Sequence, residues 1–116
     1  MKQRNKTRDQ LAPEAFTNNP AVLQCLADLK KKFGENYEQL LVSDTLDNQN
    51  HQYVHLVQKG GGVLGVALVG YTYILEEAGI RFLRLAGTSA GAINTALLTV
   101  IGNKEDKKSL KVLDYI

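Results

Sequence analysis

Residues 53–94, YVHLVQKGGGVLGVALVGYTYILEEAGIRFLRLAGTSAGAIN, decide the fold. Tyr53 to Gln58 is a β-rich run that reads as a strand, and Gly60-Gly61-Gly62 ends it abruptly. Val63 to Ala78 reads as a buried helix, closed by Gly79 at the C′ position. Ile80 to Ala86 is a second strand. Gly87-Thr88-Ser89-Ala90-Gly91 then turns the chain into a third helix, reaching about Ile101 with Gly102 as its stop. Strand, helix and strand, with both strands apolar, predict a right-handed βαβ unit in a parallel sheet.

Charge is distributed around this unit unevenly. Between Leu56 and Gly102 only Lys59, Glu76, Glu77, Arg81 and Arg84 are charged, and nine of the ten glycines fall in the same window. That window has the composition of an α/β interior, and the flanks that of solvated surface. The whole chain has 116 residues, 44% hydrophobic and 22% charged, with a net charge of +2. It reads as one small globular domain or a piece of a larger one. The balance is too mild for an electrostatic nucleic-acid binder. A single cysteine, Cys25, excludes an internal disulfide and a multi-cysteine zinc site. No apolar segment follows the basic first residues as a signal peptide requires, and none has the ~20 residues of a transmembrane span. The expected location is therefore cytoplasmic.

Outside the βαβ unit the signals are local. Met1 to Thr17 shows no periodicity. Asn19-Pro20 opens a helix, with Asn19 as N-cap and Pro20 at the first helical position. Val22, Leu26, Leu29 and Phe33 keep helical spacing, Lys30 to Lys32 occupy the last turn, and Gly34 stops it. Three cations there match the helix dipole and read as a solvated end. Cys25 sits near the apolar face and reads as an inert core thiol. Residues 35–50 suggest a short helix and then an Asp/Asn-rich loop. Asn103 to Lys108 is a polar break, and Ser109 to Ile116 begins another apolar-periodic segment. The ending suggests the N-terminal portion of a larger domain, with residues 1–52 as an extension carrying one amphipathic helix (20–33) and residues 53–116 as its truncated core.

Two glycine-rich turns carry the chemistry. Gly87-Thr88-Ser89-Ala90-Gly91 fits G-x-S-x-G, a sharp strand-to-helix turn that holds a serine in a strained conformation at a helix N-terminus. A Cβ at either glycine would collide with neighbouring backbone. Gly60 to Gly65 reads Gly-Gly-Gly-Val-Leu-Gly, and successive glycine N–H groups before a helix form a concave donor surface. Such a surface suits a phosphate or the oxyanion of an acyl-transfer intermediate. The phosphate reading expects an acid at the end of the second strand, and Leu85-Ala86-Gly87-Thr88 has none. Glu76 and Glu77 lie in the last turn of the intervening helix and point the wrong way. A P-loop fails because Tyr71 stands where its lysine must be. His55, beside Leu56 and Val57, reads as a packed or hydrogen-bonded residue, and Tyr71 and Tyr73 read as packing residues of the helix.

Gly60-Gly61-Gly62-x-x-Gly65 after one strand, followed by Gly87-Thr88-Ser89-Ala90-Gly91-Ala92-Ile93-Asn94 after the next, resembles the patatin-like phospholipase family over about residues 54–102. The resemblance implies an α/β three-layer sandwich of the patatin type. It implies Ser89 as nucleophile and an oxyanion hole of Gly60, Gly61, Gly62 and Val63, with Gly65, Gly87 and Gly91 as motif glycines. The family's Ser-Asp dyad takes its acid from a later Asp-Gly turn. Asp9, Asp28, Asp44, Asp47, Asp106 and Asp114 are none of them followed by Gly, so that acid is absent from this chain. Leu64 stands where many members carry Arg or Lys. A conventional α/β-hydrolase shares G-x-S-x-G but needs a later His, and none follows Ser89.

The expected activity is hydrolysis of lipid acyl esters, with no metal or organic cofactor. The implied partner is a lipid or other acyl-ester substrate at a membrane surface, with no nucleic acid. A catalytically silent fragment or interaction module is the alternative, and a nucleotide-binding βαβ unit ranks below it.

Overall fold

A computed structural model of the chain describes residues 17–35, 41–61 and 65–115. In chain order it contains helix α1 (Pro20–Phe33), strand β1 (Gln52–Lys59), helix α2 (Gly65–Glu77), strand β2 (Ile80–Thr88), helix α3 (Ala90–Val100) and one turn of helix, α4 (Ser109–Val112). β1 and β2 pair in parallel from Gln52↔Ile80 to Lys59↔Thr88. The register shifts once, because Val54 pairs with Phe82 and His55 with Arg84, leaving Leu83 as the extra residue. Both strands run past their expected ends, to Lys59 and Thr88, since the ladder carries the pairing right up to the glycine turns.

The core lies on one face of this two-stranded sheet. Leu56 of β1 meets Val69 of α2, Leu98 and Ile101 at the end of α3, and Val112 of α4, with Phe82, Leu85, Leu97 and Leu113 packed around them. Alternation along β1 puts Leu56 and Gln58 inside and His55, Val57 and Lys59 outside. His55 is thus exposed, a correction to the packed reading, because its strand position faces away from the helices. Val57 is 77% exposed on that same face. The described residues form an α/β unit with a parallel sheet and helices against it.

Helix α2 is buried on one side only. Val69, Thr72, Tyr73 and Glu76 face the core, while Val66 and Tyr71 are exposed. Tyr73 is the packing residue expected, and Tyr71 is not. Helix α1 has the expected bounds: the Asn19 side chain accepts from the Ala21 N–H at 2.9 Å, and Gly34 follows with φ of 86°. None of its residues is buried, however, and Cys25 is exposed. The core-thiol reading fails because Cys25 lies at the edge of the apolar stripe, where it stays exposed. Residues 41–50 form no helix; Leu46 bridges Gln52 in antiparallel sense.

Two charged residues in the charge-poor window are structural. The Glu76 carboxylate, buried, accepts from the Lys108 and Ser109 N–H groups, both at 3.0 Å, while Ser109 Oγ donates to Thr72 Oγ1 at 2.8 Å. Burial raises its pKa, opposed by those donors. Arg81, also buried, donates from Nε to the Glu105 carbonyl and from Nη1 to those of Glu76 and Ile80. Its Nη2 lies 3.3 Å from His51 Nε2, and His51 Nδ1 is 2.9 Å from Asp47 Oδ2. These bonds fasten residues 105–109 to α2 and β2. The segment around Ser109 and Val112 is accordingly core, in keeping with its apolar periodicity, although it lies in the charged flank.

Candidate active site

The parallel ladder delivers both glycine turns to one place, the carboxyl end of the two strands. β2 ends at Thr88, α3 begins at Ala90, and Ser89 is the single residue between them. Ser89 has φ of 52° and ψ of −128°, outside the regions L-residues ordinarily occupy. Asn50 is the other non-glycine residue with positive φ among those described, and asparagine tolerates it in turns. A conformation like that of Ser89 costs about 1–3 kcal/mol. Ser89 occupies the N-cap position, yet its side chain makes no capping hydrogen bond; its carbonyl accepts from Ala92 N–H at 3.0 Å. A serine kept merely to cap α3 would spend its hydroxyl on the N–H of the second or third helical residue. Here the side chain is exposed instead.

Three glycines make the turn sterically possible. A Cβ on Gly87 would stand 2.7 Å from the Ala92 nitrogen and closer still to the Gly91 backbone. One on Gly91 would lie 2.6 Å from the Gln58 carbonyl carbon, and one on Gly60 would lie 2.8 Å from Ser89 Cβ. These are distances real Cβ atoms do not adopt, and most of the opposing atoms are backbone. Gly91 therefore lets α3 press directly on β1, and Gly60 lets the first turn press on the second.

Among the expected oxyanion residues, Gly60 donates its N–H to the Thr88 carbonyl at 2.9 Å, continuing the ladder. That N–H is already engaged, so Gly60 contributes space rather than a donor. Gly61 follows, exposed, and Gly62, Val63 and Leu64 lie outside the described residues. Gly65 opens α2.

Behind the elbow lies a pair that sequence reading missed. Gln58 and Asn94 are 4% and 3% exposed, and Asn94 Nδ2 donates to Gln58 Oε1 at 2.6 Å. Gln58 Nε2 and Asn94 Oδ1 have no partner. A glutamine two residues after Leu56, on the same inward face of β1, was the available signal. A cavity of about 820 Å³ is bordered by Lys30, His51, Gln52, Gly79 and Arg81 at the opposite end of the strands, roughly 25 Å from the elbow at ~3.3 Å per residue. It has no part in the Ser89 geometry. No group of three or more His, Cys, Asp or Glu among the described residues is arranged to hold a metal.

Comparison with known proteins bears on the family of the chain. The family model of patatin-like phospholipases matches residues 56–113. An uncharacterized protein of Bacillus subtilis, YqhO, is 56% identical over 46 residues, 40% of this chain and 16% of that protein. A lysophospholipase of Aspergillus terreus is 54% identical over 44 residues, 38% of this chain and 3% of that protein. The matching stretch thus covers under a fifth of either relative's length. No solved structure matches. The family match runs from Leu56 through both glycine turns to Leu113, and the chain belongs to the patatin-like phospholipase family.

Proposed function

We propose that this chain carries the nucleophile and oxyanion parts of a lipid acyl-ester hydrolase, within a three-layer domain of the patatin type. Ser89 Oγ attacks the ester carbonyl carbon while its proton passes to an aspartate carboxylate supplied by sequence outside this chain. The carbonyl oxygen takes the negative charge and is held by N–H groups of Gly61, Gly62 and Val63. The tetrahedral intermediate collapses, the alcohol leaves with the proton, and water, deprotonated by the same aspartate, releases the fatty acid and restores Ser89. Each oxyanion donor in such a site is worth roughly 10²–10³ in rate.

The observation that carries this reading is the strained, uncapped Ser89 at a helix N-terminus, against Gly60 of the donor turn. A strained backbone persists where function uses it. The absence of any Asp-Gly pair supports a second reading, a catalytically silent module. A fluorophosphonate probe applied to the native protein from its source separates them. Labelling that disappears in Ser89→Ala supports the hydrolase; an unlabelled but folded protein supports the silent module.

A further inference from the structure

Helix α1 is amphipathic: none of its residues is buried, and Val22, Leu26 and Leu29 along its apolar stripe are half-buried. Val22, Leu26, Leu29 and Phe33 form one stripe, extended by Leu23 and Cys25 at its edges. Leu23 is 51% exposed and Phe33 is 45% exposed, and no residue of the helix is buried. The opposite face is polar and self-satisfied: Gln24 Nε2 donates to Asp28 Oδ1 at 2.8 Å.

The placement of the lysines identifies what this stripe fits. At 100° per residue Lys30 and Lys32 fall on either side of the stripe, at roughly 70° and 90° from its centre. Lys32 Nζ lies 5.6 Å from the centre of the Phe33 ring. Lysine is depleted from protein–protein interfaces, where its mobile ammonium must be desolvated. Lysines at the edges of an apolar stripe suit a lipid surface, where the side chains reach back to headgroup phosphates while the stripe enters the acyl boundary. The sequence ahead of the helix adds Lys2, Arg4, Lys6 and Arg8 against Asp9 and Glu14. At 14 residues, about 21 Å, α1 is too short to cross the ~30 Å hydrocarbon core and is suited to lie in its surface. It also lies outside residues 56–113, the family match.

We infer that α1 is a surface-binding helix that docks the protein on anionic lipid, apolar stripe inward and Lys30 and Lys32 at the headgroups. The choice of lipid as occupant rests on the lipid-hydrolase reading; the binding itself needs no chemistry at Ser89. The dipole-matched lysine run thus has a second use.

The test is co-sedimentation of the full-length Ser89→Ala chain with vesicles of phosphatidylcholine alone and of phosphatidylcholine mixed with phosphatidylserine. Because the readout is binding, it stands or falls separately from hydrolysis. The expected result is binding at least about tenfold stronger to the mixed vesicles, weakened by salt. Lys30→Glu/Lys32→Glu should abolish that preference, and Leu26→Asp/Leu29→Asp should abolish binding, both with unchanged thermal melting. Absence of binding to either vesicle overturns the inference, as does binding indifferent to both double variants. A lower melting temperature for Leu26→Asp/Leu29→Asp also overturns it, by revealing a protein surface as the occupant.

Discussion

Gly60 and Ser89, 29 positions apart, are in such close contact that a methyl group on residue 60 would stand 2.8 Å from Ser89 Cβ. The two glycine-rich turns are therefore one structure: the Gly60 N–H ties it to the Thr88 carbonyl, and the bare Gly60 Cα makes room for the elbow.

Gly60→Ala should consequently act on both turns. The added Cβ meets Ser89 Cβ and backbone atoms of Thr88 and Ala90, none of which is the far end of a flexible side chain. The expected destabilisation is about 1–3 kcal/mol, the usual cost of overpacking. Fluorophosphonate labelling of the native protein should fall at least ~100-fold, because displaced donors and nucleophile fail together. Thermal melting and labelling rate check the two halves; wild-type values for both would show that the contact is not tight.

Ser89→Gly and Ser89→Ala should part company in stability. Glycine adopts φ of 52° without a Cβ penalty, while alanine keeps it. Ser89→Gly is expected to gain about 1 kcal/mol, roughly 4–8 °C in a domain of this size, and Ser89→Ala to melt with the wild type. Neither should react with the probe. Coincident melting of the two variants would mean that the elbow stores no strain.

The Gln58–Asn94 pair should show coupling. Asn94→Leu strands both polar atoms of the buried Gln58 amide and is expected to cost about 1–3 kcal/mol. Gln58→Leu does the same to Asn94. The double variant Gln58→Leu/Asn94→Leu removes four buried polar atoms together and should be less destabilised than the sum of the singles. Chemical denaturation of all four proteins completes the cycle; simple additivity would show that the pair does not interact.

The pH dependence of stability should have two arms that share one residue. Some desolvation acts on Asp47, but hydrogen bonds from the His51 side chain and N–H, the Gln49 N–H and the Tyr53 hydroxyl hold its carboxyl well below the ordinary aspartate range. Tyr53 is pushed up to about 12, by burial first and then by its bond to Asp47. For Asp47 the folded pKa is depressed, so its contribution is complete above the ordinary value of 3.8 and is lost as pH falls below it. For Tyr53 the folded pKa is raised, so its contribution is complete below pH 10 and disappears between pH 10 and about 12. Melting temperatures measured across pH should decline at both ends. Asp47→Asn should flatten the acid arm and shrink the alkaline one; an unchanged profile would remove Asp47 from the account.

Legibility from the sequence followed the range of the interaction concerned. The strands, the turns, the Asn19 cap and the stop at Gly34 were readable because each depends on backbone preference and spacing within a few residues. The G-x-S-x-G turn was readable for the same reason: a glycine on each side of Ser89 is a local steric requirement. What was not readable depended on partners far along the chain. Whether His55, Tyr71 or Cys25 is inside is set by which faces the helices cover, and each turned out exposed. Glu76 and Arg81 are buried, because backbone groups of residues 105–109, remote in the chain, satisfy them. Gln58 and Asn94 are 36 positions apart and meet only because Gly91 lets α3 close on β1. The sequence by itself thus determined the local elements and the two glycine turns, whose causes lie within a few bonds of each residue. Tertiary structure alone decided which side chains are buried, which N–H groups are already engaged, and how closely Gly60 approaches Ser89, since each depends on excluded volume and hydrogen bonding between segments remote in the chain.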